Sequence, residues 1–257
     1  MNITKASPVL FASLLAAQGA SAALVFSSSA GSRSASAEFD IVDGKLQVKL
    51  TNTSTGDVTV PTDVLTGLFF TLNGNQTPTL TRNSAVIATG SQVIYSGGQP
   101  AGGNVGGEWA YKAQSGLLGG QFNQGISSSG MDDTFGPPHL FPGSNLAGPE
   151  SPNGLQYGLT SAGDNPATGN GGVTGSGGLI KNSVVFTLGN LPAGFTLDDI
   201  GSVVRFQYGT SLSEPSLLAE RPLTPVPEPT TYIAGCLLGI PALLHLARFA
   251  KRARARA

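Results

Sequence analysis

Cysteine is nearly missing from this chain: the single thiol, Cys236, lies in an apolar run close to the C-terminus. The residues before it therefore have neither a disulfide nor a thiol nucleophile, and their stability must come from a packed core or from bound ions. Histidine is almost as scarce. Only His139 precedes the apolar run, in GPPHLFPGSN, where it could orient Ser144; with no spaced acidic partner it reads as a loop residue. The three or four nitrogen or sulfur ligands of a zinc site are not there. Charge is sparse too, at 11% of residues, and from Ala23 to Val226 8 Lys and Arg stand against 14 Asp and Glu, a balance of −6. A mildly acidic body without a basic stripe excludes nucleic acid as an expected partner. G-x-S-x-G, the P-loop pattern and a strand-to-helix G-x-G-x-x-G are also missing, so no catalytic residue and no cofactor are assigned.

Long hydrophobic runs occur only at the two ends. The first 22 residues, MNITKASPVLFASLLAAQGASA, have one early lysine, an apolar stretch from Val9 to Ala17 and the small residues Ala20-Ser21-Ala22. That order is a secretory signal peptide, with cleavage by signal peptidase expected between Ala22 and Ala23. At the other end, Pro227-Glu228-Pro229 precedes a run from Tyr232 to Ala247 that lacks Asp, Glu, Lys and Arg. Arg248, Lys251, Arg252, Arg254 and Arg256 follow at once. At ~1.5 Å per residue, a helix over about 231–249 just spans a ~30 Å hydrocarbon core. Pro241 would bend it, which membrane helices tolerate better than soluble ones. The basic residues place the end of the chain in the cytoplasm and everything before Pro227 across the membrane.

Pro-Glu-Pro, a short apolar helix and an Arg-rich end resemble the PEP-CTERM sorting signal of Gram-negative bacteria. The resemblance covers the last thirty-odd residues. It implies an inner-membrane intermediate, cutting near the triplet by an exosortase, and co-production with exopolysaccharide. The phrases LQVKLTNTS, VPTDVLTGLFF and VRFQYGTSLSEP are similar, more loosely, to other exosortase-sorted surface proteins. No catalytic residue comes with either resemblance.

The body between the two ends reads as strands. In ASAEFDIVDGKLQVKLTNTS, Ala37, Phe39 and Ile41 alternate with polar residues, Asp43-Gly44 supplies a two-residue turn, and Leu46, Val48 and Leu50 alternate again. If Val42 and Lys45 flank the turn, Ile41 faces Leu46, Phe39 faces Val48 and Ala37 faces Leu50, all on one face. Further strands are expected at 64–72, 85–88, 92–96, 108–113, 179–188 and 202–210. Between them, positions 97–178 hold 23 of the 36 glycines and read as long loops packed on one end of the body. The expected fold is all-β: an antiparallel β-sandwich over 23–225 with Gly-rich loops at 97–178, a signal peptide at 1–22, and the sorting signal with its single transmembrane helix at 226–257.

Few residues in the body suggest a site. Trp109, Tyr111 and Tyr157 could stack on sugar rings, or equally anchor the loops in which they lie. Asp132-Asp133 and Asp198-Asp199 offer carboxylates to calcium but fit no EF-hand loop, and read more simply as turn residues. Thr77, Thr79 and Thr81 form one short T-x-T-x-T array, too little for an ice-binding surface. The expected function is structural or adhesive, as a cell-surface or matrix protein associated with exopolysaccharide. A carbohydrate-binding or carbohydrate-active module is the alternative.

Overall fold

The computed structural model describes residues 23–74, 77–95, 98–132, 134–135, 145–146 and 154–222. The expected signal peptide, His139, Pro227-Glu228-Pro229, the apolar run and the basic cluster Arg248, Lys251, Arg252, Arg254 and Arg256 lie outside these residues. One compact unit ends at Arg221 and a second begins at Pro222. Among the described residues no helix is long and apolar enough to cross a membrane.

The described strands are β1 (Leu24–Ala30), β2 (Arg33–Val42), β3 (Lys45–Asn52), β4 (Leu65–Phe70), β5 (Thr81–Ile87), β6 (Gln92–Ile94), β7 (Ala110–Gly116), β8 (Phe122–Ser127), β9 (Leu159–Thr160), β10 (Leu179–Lys181), β11 (Ser183–Gly189), β12 (Val203–Tyr208) and β13 (Ser216–Glu220). They form a five-stranded sheet in the order β1-β2-β3-β11-β5 and a larger sheet in the order β13-β12-β4-β9-β10-β6, to which β8 adds through β4 and β7 through β8. Among the described residues no closed barrel forms. The chain is mostly β, and its two sheets enclose one main core in a sandwich-like arrangement.

The β2–β3 hairpin has the register that its alternation demands. Ile41 pairs with Leu46, Phe39 with Val48, Ala37 with Leu50, and Val42 with Lys45 beside the turn. Asp43 and Gly44 both take positive φ, 51° and 70°, so the turn twists with the strands as Asp-Gly loops do. Inside, Phe39 meets Phe26 of β1 at 5.7 Å and Phe70 of β4 at 5.3 Å, both edge to face. The second contact crosses from one sheet to the other.

Sequence and structure differ in several places. The run 179–188 is expected as one strand, but Asn182 breaks it at φ 89° and sends β10 to the larger sheet and β11 to the smaller. The Asn182 N–H donates to the Thr160 carbonyl, and its own carbonyl accepts from Asn52 N–H. The expected all-antiparallel pairing also fails, because β9 and β10 run parallel and make the larger sheet mixed. Finally, the Gly-rich stretch is more than loops. Besides β7, where a strand was expected, it supplies β8 and β9, and its side chains Ala110, Leu117, Phe122, Met131 and Phe135 cover the second face of β4 around Phe69. This is why all six residues of β4 are buried. A Cβ on Gly125 would lie 2.8 Å from Phe135 Cζ and 3.1 Å from Phe69 Cδ1, so glycine there lets two rings sit on the strand.

Candidate functional site

An open concavity lies at the end of the β7–β8 hairpin. Its connection bends through positive φ at Gly116, Leu118, Gly119 and Gly120. Opposite lies the chain leaving β4. Between them is a cleft of about 540 Å³ lined by Thr71, Thr77, Ser115, Gln121, Phe122 and Asn123 together with glycines. Asn123 is already committed. Its amide donates to the Leu72 carbonyl at 2.8 Å and its Oδ1 accepts from Leu72 N–H at 2.9 Å, so it extends the ladder past β4. The Thr71 hydroxyl donates to the Gln121 carbonyl at 3.3 Å. The lining is neutral, and its one ring, Phe122, is only 4% exposed.

No protein-family model, no curated protein and no solved structure matches the chain. The functional reading therefore rests on residues and geometry.

Of the aromatic residues considered for sugar stacking, two are inside. Trp109 is 0% exposed, with its ring 4.9 Å from that of Phe186. Tyr111 is 3% exposed, and its hydroxyl donates to Gln124 Oε1 while accepting from Leu80 N–H at 3.1 Å. Burial pushes its phenol up to about 12, so it stays protonated and keeps its role as donor. Tyr157 is half-buried at φ 59° and packs against the main core. Two of the three expected stacking rings are corrected: Trp109 and Tyr111 fill the interior and offer no ring face to a sugar.

The acidic pairs behave as turn residues. Asp132 Oδ2 accepts from the Ser211 hydroxyl at 2.6 Å and from Leu212 N–H at 2.7 Å. Asp198 lies 3.3 Å from Arg221, and Asp199 accepts from Thr196 N–H at 2.8 Å in a capping box. Asp133 lies outside the described residues. The described residues contain no histidine and no cysteine.

Sequence reasoning missed one cluster, on two loops rather than on the Asp-Asp pairs. Asp57 and Asp164 are brought together across more than a hundred residues. Only their reciprocal hydrogen bonds, which no spacing in the sequence announces, reveal them.

Proposed function

We propose that the chain is an exported cell-surface or extracellular-matrix protein whose ends are removed by signal peptidase and an exosortase, and whose body does structural or adhesive work beside exopolysaccharide. One observation carries the reading. Every described strand lies between Leu24 and Glu220, inside the two expected processing points at Ala22–Ala23 and Pro227-Glu228-Pro229. Removal of either end breaks no described ladder, since the outermost described pairs are Leu24 with Phe39 and Glu220 with Val203. A body that keeps its complete sheets after both cuts is what two-ended processing requires.

The chemistry of the body favours a structural role over a saccharide site. Sugar recognition rests on an exposed ring beside polar groups, whereas Trp109 and Tyr111 are interior and the cleft's Phe122 is covered. The reading is tested by deleting Glu228 and Pro229 and fractionating the cells. The expected result is full-length protein held in the envelope while the native protein reaches the surface without its tail. Unchanged distribution of the deletion variant would overturn exosortase processing.

A further inference from the structure

The two sheets differ in what covers their outer faces. Side chains of the Gly-rich segments lie over β4 in the larger sheet, whereas the outward residues of β1, β2 and β3 are exposed or half-buried. That open face carries its charges in strips. Outward on β2 are the acids Glu38 and Asp40, and outward on β3 are the bases Lys45 and Lys49.

The ladders set these residues in rows across the five-stranded sheet. One row runs Val25, Glu38, Lys49, Val185; beside it lie Asp40 and Gln47 on one side, Ser36 and Thr51 on the other. The central row is therefore apolar, acidic, basic, apolar. Its charges are not spent inside the chain: the salt bridges among the described residues are Arg33 with Asp63 and Arg221 with Asp198. Val25, at the end of the row, is 42% exposed.

This order is self-complementary, which is what an isologous contact requires. When one copy of the face is turned over about an axis that lies between β2 and β3 and runs along them, each β2 comes over the other copy's β3. Glu38 then meets Lys49 twice, Val25 meets Val185 twice, and Asp40 meets Gln47 twice. Other axes lose the match. An axis between β3 and β11 sets Lys49 over Val185, and an axis across the strands stacks acid on acid.

We propose that the outer face of the five-stranded sheet binds a second copy of this chain, sheet on sheet, with β2 of each copy over β3 of the other. Packed sheets lie ~10 Å apart with strands within ~30° of each other, so the residues beside the axis stay opposed despite the twist. Four strands at ~4.8 Å spacing and about seven residues long cover roughly 400 Å² a side, half the ~800 Å² of a standard interface. The association is accordingly weak and sensitive to salt.

The test is disulfide capture of the full-length protein in mild detergent at low salt, with the single native cysteine removed throughout by Cys236→Ser. Chains carrying Val25→Cys are mixed with chains carrying Val185→Cys and oxidised. The 25–185 disulfide should form at least tenfold faster than the 25–25 disulfide, because the two Val25 positions of a pair stand three strand spacings, about 14 Å, apart across the sheets, beyond disulfide reach. Adding Glu38→Lys to the first chain sets lysine against Lys49 and should cut the mixed product at least fivefold. Adding Lys49→Glu to the second chain as well should restore it, a recovery that a misfolded chain could not give. Absence of the 25–185 product, equal formation of the 25–25 product, or failure of the restoring change would overturn the proposal. So would cross-linking indifferent to Glu38→Lys, because the chains would then be meeting through another surface.

Discussion

Replacing Tyr111 by Phe removes one oxygen, yet that oxygen serves two partners at once. It donates to Gln124 Oε1 and accepts from Leu80 N–H, while Gln124 Nε2 donates to the Pro78 carbonyl at 3.0 Å. Tyr111→Phe should therefore destabilise the protein by about 1–3 kcal/mol through the groups left unmatched, read as a lower urea midpoint. Gly125 illustrates the opposite constraint, where adding a single carbon does the harm. Gly125→Ala pushes Phe135 and Phe69 out of their packing, and a loss of about 1–3 kcal/mol is expected in the same denaturation series. Neither residue looks important in the sequence. Tyr111 is one of several aromatics in a Gly-rich stretch, and Gly125 is one of many glycines; only the two bonds at the Tyr111 hydroxyl and the two rings against Gly125 show their purpose.

Strands were legible where alternation and turn chemistry agreed. The β2–β3 hairpin could be registered residue by residue because its apolar positions keep period 2 across Asp43-Gly44. Phe39→Asp should accordingly cost several kcal/mol, roughly the sum of lost burial and a buried charge, whereas Glu38→Ala on the other face should be nearly neutral. Equal thermal shifts for the two would contradict the register. Other strands hid for physical reasons. β8, FNQGIS, is buried on both faces yet carries Gln124 and Ser127 inside, so it shows no apolar alternation. β1, LVFSSSA, sends only Phe26 into the core and otherwise looks like a polar linker. The run 179–188 gave no sign of its break, since asparagine inside a strand pattern does not announce φ 89°. Asn182→Gly should be tolerated there, while Asn182→Val should destabilise by about 1–2 kcal/mol because a β-branched residue resists that conformation.

For the whole molecule, a compact unit built without disulfides ends at Arg221, a few residues before the Pro-Glu-Pro triplet. The expectations for the terminal segments rest on charge, apolar length and small-residue order, which are one-dimensional signals. The clasp between Asp57 and Asp164 was not legible, because it exists only once the loops after β3 and β9 have met. The proposed delivery depends on arginines staying cytoplasmic while the triplet is presented outside. Changing Arg248, Lys251, Arg252, Arg254 and Arg256 to Ser should impair that retention and let uncut protein through, seen as full-length chain in the medium. The most direct measurement is mass spectrometry of the native surface protein. The account predicts an N-terminus at Ala23 and a C-terminus close to Pro227-Glu228-Pro229; a mature chain still ending in Arg256-Ala257 would contradict it.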